Sequence, residues 1–297
     1  MNVGMNNGAA RPELTAKIFD IAHASFVDGP GIRTTVFFQG CALRCAWCHN
    51  PESQCFESRR LFYTELCRHC GRCASVCPSP GHCTLCGRCE AVCPHDAVRV
   101  VGKVLTLDAV FDEIMADRAF YTAGGGMTCS GGECMLQLPF LKALLRSCKK
   151  EQIHTAVDTA GDLPFSDFEE ILPFTDLFLY DIKCMDAETH RKYTGADNRR
   201  ILDNYAKLAD GGSRLLVRIP LVAGVNDSPD EAVRIAAFLR AHPLPERVEL
   251  LPYHSMGARK YKALGKPLPV FSAPSAERIR EILNIFLQSG IDCIVNG

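Results

Sequence analysis

No stretch of this chain approaches eighteen consecutive apolar residues, so nothing in it reads as a helix that spans a bilayer. Met1–Leu14 is rich in Asn and Gly and holds no apolar core of a signal peptide. It predicts a flexible tail, taken to residue 16, and a cytoplasmic protein. Charge is almost balanced, at a formal −1 with 23% charged residues. That leaves no acidic or basic field to recruit nucleic acid or a membrane surface. Nothing in the composition asks for an oligomer, and a monomer is the expectation. At 297 residues the chain can bury a sizeable core. One domain of about 200–250 residues carrying an insertion is the natural division.

Cysteine is what the chain has in excess: seventeen residues, eleven of them in three compact runs inside Cys41–Cys93. A small secreted protein would use such residues for disulfides, but this chain is too long to need stapling. Compact runs in a chain without an export signal mean metal and a reducing, anaerobic setting. The first run is Cys41, Cys45 and Cys48, directly after the apolar stretch Thr34–Gly40. Three thiolates can hold three corners of a [4Fe–4S] cubane and leave the fourth iron open. An open position is what a catalytic metal needs. Zinc is the plainer alternative, but zinc sites usually use paired two-residue-spaced arms, which this triplet lacks.

The CxxxCxxC spacing resembles the signature of the radical S-adenosylmethionine (SAM) enzymes. That resemblance implies that the open iron binds SAM, which an electron from the cluster cleaves to methionine and a 5′-deoxyadenosyl radical.

The other two runs are copies of one another: Cys67, Cys70, Cys73, Cys77 and then Pro78; Cys83, Cys86, Cys89, Cys93 and then Pro94. Each is a bacterial ferredoxin run, in which the fourth cysteine ligates the other cluster. By that rule Cys67, Cys70, Cys73 and Cys93 hold one [4Fe–4S] cluster, and Cys77, Cys83, Cys86 and Cys89 the second. Gly71 and Gly87 give the backbone room to wrap each site. Only Pro78–His82 separates the runs, a shorter link than free ferredoxins carry, so the spacing fixes the cluster count more firmly than the crossing. Four thiolates per cluster leave no open iron, which suits electron transfer. Residues 55–105 are the expected ferredoxin-like insert; 17–54 and 106–297 form the main body.

In that body, strand-like runs (Thr34–Phe38, Met127–Ser130, Ile153–Val157, Leu177–Tyr180, Leu215–Ile219, Val248–Leu251, Ile291–Val295) alternate with helical patterns. Leu138, Leu141, Leu144, Leu145 and Cys148 share a helical face. Ser228-Pro-Asp-Glu231 reads as a cap, a first-position proline and a third-position glutamate opening a helix to Leu239. Ile279–Leu287 predicts the last helix, stopped by Gly290, and Asp108–Tyr121, Ser166–Leu172 and Arg199–Ala209 predict three more. Strands alternating with helices argue for a parallel α/β sheet. The number of units fits a partial (β/α)6 barrel, the fold radical SAM enzymes resemble.

The chemically loaded residues fall at the C-terminal ends of these strands, where barrels build their sites. Arg218 lies in an apolar strand, where a lone guanidinium needs an anion. The carboxylates Asp158 and Asp181 on adjacent strand ends need a cation or Lys183 between them. The motifs also match, residue by residue, the activating enzymes of glycyl radical enzymes. Gly131, Gly132 and Glu133 match the motif that holds SAM's amino group. Asp158, Thr159 and Asp181 match residues around a monovalent cation, and Lys183 a contact to SAM's carboxylate. His254, in LLPYHSMG, matches a histidine near SAM's sugar. Asp28, Gly29, Pro30, Gly31, Ile32 and Arg33 match the loop that meets the incoming glycyl-radical peptide.

The chain is thereby identified as similar to the branch with a two-cluster insert. The resemblance implies three [4Fe–4S] clusters, SAM, abstraction of the pro-S hydrogen from a backbone glycine of a partner glycyl radical enzyme, and a flavodoxin or ferredoxin as electron donor. A radical SAM enzyme for a small molecule or a ribosomal peptide would leave the Asp28–Arg33 loop and the LLPYH run unexplained, and a pure electron carrier would explain only Cys67–Cys93. Cys55, Cys129, Cys134, Cys148, Cys184 and Cys293 read as small apolar residues.

Overall fold

The computed structural model describes residues 13–122 and 124–296. Its strands, in chain order, are β1 (Thr15–Ser25), β2 (Arg33–Phe38), β3 (Arg59–Phe62), β4 (Val98–Val101), β5 (Lys103–Thr106), β6 (Gly126–Gly131), β7 (His154–Thr159), β8 (Leu177–Asp181), β9 (Leu215–Leu221), β10 (Arg247–Pro252) and β11 (Cys293–Val295). The helices are α1 (Arg72–Ser75), α2 (Arg88–Ala91), α3 (Leu107–Ala116), α4 (Leu138–Lys150), α5 (Phe165–Ile171), α6 (Ala187–Thr194), α7 (Arg199–Asp210), α8 (Pro229–Arg240), α9 (Ala258–Ala263) and α10 (Ala276–Gln288).

Nine strands form one sheet in the order β11-β10-β9-β8-β7-β6-β2-β1-β5. From β2 to β11 every pairing is parallel, and these seven strands are the seven expected. β1 runs antiparallel to both β2 and β5. Among the described residues β5 and β11 do not pair with each other, so hydrogen bonding leaves the sheet open.

Alternation explains why the central strands read as unbroken apolar runs. Val157, Phe178, Tyr180 and Val217 pack into the main core beneath α4, α5, α7 and α8. Ala156, Leu177, Leu179 and Leu216 form a separate buried patch. A strand buried on both faces has no polar side to show. The α8 start holds as expected in its cap, where Ser228 Oγ accepts from Glu231 N at 3.1 Å. The glutamate does not complete a capping box: its carboxylate turns to Met185 N and Arg234.

Two boundaries differ from expectation. The tail is predicted to residue 16, but Thr15 and Ala16 already pair with β5; residues 1–12 lie outside the described part. Residues 103–105, expected in the insert, belong to β5 of the main sheet. Both shifts have one cause: β1 and β5 are mutual partners distant in sequence, with no apolar run to mark either. The insert itself is framed by an antiparallel β3–β4 ribbon. The two cysteine runs fold alike, each opening a one-turn helix on a left-handed glycine, Gly71 (φ 74°) and Gly87 (φ 75°). A second small core of Phe19, Leu61, Tyr63 and Val101, with Ala263 and Leu264 against it, seats the insert's base on β1 and the end of α9. No helix among the described residues is long and apolar enough to cross a membrane.

Candidate active site

Cys41–Cys48 leave β2 as a loop held on both flanks. The amides of Arg44 and Ala46 donate to Thr194 O (2.7 Å) and Tyr193 O (2.8 Å), carbonyls at the C-terminal end of α6. Trp47 is buried against Tyr193 and Phe271. With its backbone satisfied elsewhere, the loop leaves all three thiols on the wall of one cavity of about 500 Å³. Burial pushes Cys41 and Cys48 up to about 12 and raises Cys45 as well. Buried thiols of this kind stay protonated unless a metal supplies positive charge, and coordination then deprotonates them. Among the described residues no three His, Cys, Asp or Glu side chains converge on a point for one ion. A cubane, which spreads its irons over several ångströms, does not require that.

The same cavity is lined by Gly131, Gly132, Asp158, Thr159, Asp181, Lys183, Arg218 and His254, and by Asp28. Residues expected from six strand ends thus meet in one place. Gly132 shows why small residues stand here: a Cβ on it would lie 2.1 Å from Gly40 O, the residue before Cys41.

Glu133 is the exception. It does not line the cavity; its buried carboxylate accepts from Thr159 Oγ1 (3.0 Å), Ala160 N (3.0 Å) and Met135 N (3.3 Å). Burial pushes it up to about 7. It stitches the end of β6 to the end of β7.

Register places Asp181, Arg218 and Glu249 side by side on β8, β9 and β10. Arg218 Nη1 lies 3.5 Å from Asp158 Oδ2, and its Nε lies 3.4 Å from Glu249 Oε2. The anion that Arg218 requires is therefore local and double. Burial works against the Arg218 charge, and Asp158 and Glu249 more than offset it. Burial raises Asp158, with Arg218 opposing. Lys183 is likewise held charged against burial by Asp181, to which it is directly bonded.

The Asp28–Arg33 loop divides. Asp28 faces the cavity, its carboxylate fixed by Ser25 Oγ (2.6 Å) and Thr35 Oγ1 (2.9 Å), while Pro30 and Gly31 are exposed. Arg33 has 0% exposure. Its guanidinium donates to Thr128 Oγ1 and Met127 O (both 2.6 Å), Pro30 O (3.0 Å) and Gly124 O (3.1 Å). It clamps the loop onto β6, out of reach of any peptide.

His254 stacks on His49, ring centroids 3.9 Å apart. His49 Nε2 and His254 Nδ1 are buried without a protein partner. In the insert, Cys67, Cys70, Cys73 and Cys93 line a second cavity of about 290 Å³, with Cys77 not among its walls. Backbone amides of Arg88 and His95 lower Cys86 and Cys93 respectively. Cys129, Cys134, Cys148, Cys184 and Cys293 are buried, as small apolar residues would be, and Cys55 is half-buried.

The model of the radical SAM superfamily matches residues 35–236. The choline trimethylamine-lyase activating enzyme of Oleidesulfovibrio alaskensis is 40% identical over 89% of this chain and 91% of its own. The trans-4-hydroxy-L-proline dehydratase activating enzyme of Clostridioides difficile is 38% identical over 94% and 99%. This chain belongs to the glycyl radical enzyme activating enzymes of the radical SAM superfamily. A solved domain of a pyruvate-formate lyase-activating enzyme from Bacteroides vulgatus superposes with a TM-score of 0.51 at 31% identity, covering 58% of this chain and 99% of that one.

An activating enzyme of this family carries a [4Fe–4S] cluster and uses SAM. The donor set fits both: three thiols on one wall, and unpartnered ring nitrogens of His49 and His254 on another. Sequence reasoning missed His49 and Asn296, which also line this cavity, and Glu249, which pairs with Arg218 behind it. Glu249 carried a readable signal, being a lone charge in the apolar run Val248–Leu251, as Arg218 is in its own strand.

Proposed function

We propose that Cys41, Cys45 and Cys48 hold the cluster whose open iron receives SAM, and that the strand ends around them orient SAM for hydrogen abstraction from a partner's glycine. The observation that carries this reading is the meeting of these thiols with Gly131, Gly132, Asp158, Lys183, Arg218 and His254 around one cavity of about 500 Å³, a size that suits a cofactor-sized ligand. Once bound, the cluster supplies the electron that cleaves SAM to methionine and a 5′-deoxyadenosyl radical.

The chain's own residues then do the positioning. Gly131 and Gly132 offer backbone acceptors to SAM's ammonium. Glu133 serves from behind, holding Thr159 and Ala160 in place. Lys183 is the cation nearest Asp181. If it turns to SAM's carboxylate, Asp181 is freed to share a monovalent cation with Asp158 and Thr159. The His49–His254 stack offers a flat face and two unpaired nitrogens to the nucleoside. Asp28 lines the cavity and meets the partner's incoming glycine loop; Gly29, Pro30, Gly31 and Ile32 lead from it to the start of β6, where Arg33 holds them.

Residues 15–54, with 103–296, form the radical SAM body as a partial (β/α)6 barrel. The insert binds two further [4Fe–4S] clusters and passes electrons inward from a flavodoxin or ferredoxin. The cavity shared by Cys67, Cys70, Cys73 and Cys93 supports crossed ligation. We place the protein in the cytoplasm as a monomer.

The test is EPR on an anaerobic mixture of reconstituted protein, SAM, reductant and the glycyl radical enzyme encoded nearest to it. A stable organic radical doublet, lost when the partner's glycine is changed to alanine, supports the reading and names the partner. Neither doublet nor 5′-deoxyadenosine, with about twelve irons loaded (three cubanes), overturns it.

A further inference from the structure

The run from Gly257 to Lys266 has no role in the site as described so far, yet it grips the loop that carries the third thiol. Tyr261 on α9 donates its hydroxyl to Cys48 O at 2.9 Å. Lys260 Nζ lies 2.6 Å from Glu52 Oε1 and donates to Asn50 Oδ1 at 2.7 Å. Lys266 Nζ adds bonds to Gln54 Oε1 (3.0 Å) and Pro51 O (3.2 Å). Glu52 is only 3% exposed, and its second oxygen has no partner. The far side of α9 rests on the insert, with the Arg259 guanidinium 5.8 Å from the Tyr63 ring centre.

A buried carboxylate with one oxygen unpaired contributes little to stability, and an apolar pair in its place is often as stable. What the pair does supply is charge balance. Glu52 stands four residues from Cys48, and Lys260 is the chain neighbour of Tyr261, which bonds to Cys48 O; Glu52 is buried and Lys260 only 23% exposed, so water screens the pair only in part. Cluster potentials respond to nearby net charge and to hydrogen bonding around the ligands.

We propose that Glu52 and Lys260, with Tyr261 between them and Cys48, are positioning residues for the third thiol, and that their balanced charge sets the reduction potential of the cluster held there. This rests on the reading of Cys41, Cys45 and Cys48 as the open-iron site.

The test uses the full-length, reconstituted protein in an EPR-monitored potentiometric titration, with dithionite as the one-electron source. It follows only the reduced signal that SAM addition alters, which isolates this cluster from those of the insert. Lys260→Met leaves Glu52 uncompensated and is expected to shift the midpoint down. Glu52→Gln leaves Lys260 uncompensated and is expected to shift it up. Lys260→Arg restores the wild-type value. The double variant Glu52→Gln/Lys260→Met buries no charge and returns the midpoint close to wild type, even where a single variant loads poorly. Shifts of one sign in both single variants, no shift in either, or a double variant as displaced as the singles would overturn the proposal. A wild-type protein with no SAM-responsive signal would overturn the underlying site reading instead, and this inference with it.

Discussion

Replacing Arg33 by methionine separates a structural clamp from a peptide contact. The substitution removes the donors that serve Pro30 O, Met127 O, Gly124 O and Thr128 Oγ1, all at 3.1 Å or less. At about 2 kcal/mol for each of the two buried acceptors, Met127 O and Thr128 Oγ1, and about 1 kcal/mol for each of the two half-buried ones, Pro30 O and Gly124 O, the gross loss is roughly 6 kcal/mol. Part of that is returned. Burial lowers the Arg33 pKa from 12.5 to about 10, so keeping the guanidinium charged inside costs about 3 kcal/mol, which methionine does not pay. The net expectation is a loss of about 3 kcal/mol. For a chain of this size that is a fall of about 6 °C in the unfolding midpoint. Scanning calorimetry of wild type, Arg33→Met and Arg33→Lys, at one scan rate and one cluster loading, measures it; lysine, which can reach fewer acceptors, should fall between. A methionine variant within about 1 °C of wild type that still made 5′-deoxyadenosine but no longer activated its partner would refute the clamp and return Arg33 to the peptide.

Three further outcomes are expected. In Gly132→Ala the new methyl must displace Gly40 and the start of the thiol loop by about an ångström; the chain should fold and load, with 5′-deoxyadenosine formation about 10²-fold slower. In a Cys67→Ser background, Cys93→Ser should remove no further iron while Cys77→Ser should. The reverse result in an iron assay would mean each run holds its own cluster. Asp176 titrates below its usual range: burial raises it, but Lys149 and Thr155 N prevail. Its contribution is therefore present above about pH 4 and lost as pH falls through its lower folded pKa. Asp176→Asn should be less stable than wild type at pH 7 by about 1–2 kcal/mol, and urea midpoints of the two apo-proteins should converge below about pH 4.

The seven parallel strands were legible because a strand buried on both faces has to be written in unbroken apolar residues, as Leu177–Tyr180 and Leu215–Ile219 are. β1 and β5 were not, since β1 is held between β2 and β5, and β5 by β1 at the sheet edge, rather than by a pattern of their own. Helices α6 and α9 escaped for a related reason. Their sequences, Ala187–Thr194 and Ala258–Ala263, are short and polar, and what keeps them in place is the thiol loop they support. The site's membership was readable from strand ends, but the direction of a side chain was not. Glu133 and Arg33 have the right types at the right positions, yet both point away from the ligand space, into partners supplied by β7 and β6. No spacing rule joins Glu52 to Lys260; only the folded chain does.

The insert leaves and rejoins the body through neighbouring residues. Arg59 pairs with Val101, and Ser58 Oγ donates to Gly102 O at 2.6 Å. A segment whose two ends touch closes a loop that the host has already closed, so lengthening it costs little chain entropy. Evolution could therefore have added, lost or exchanged this module as a unit without re-registering a single strand of the main sheet. By the same logic an engineer could graft a different electron-carrying module between Ser58 and Gly102, provided it presents a surface for Arg259 and Leu264 to rest on.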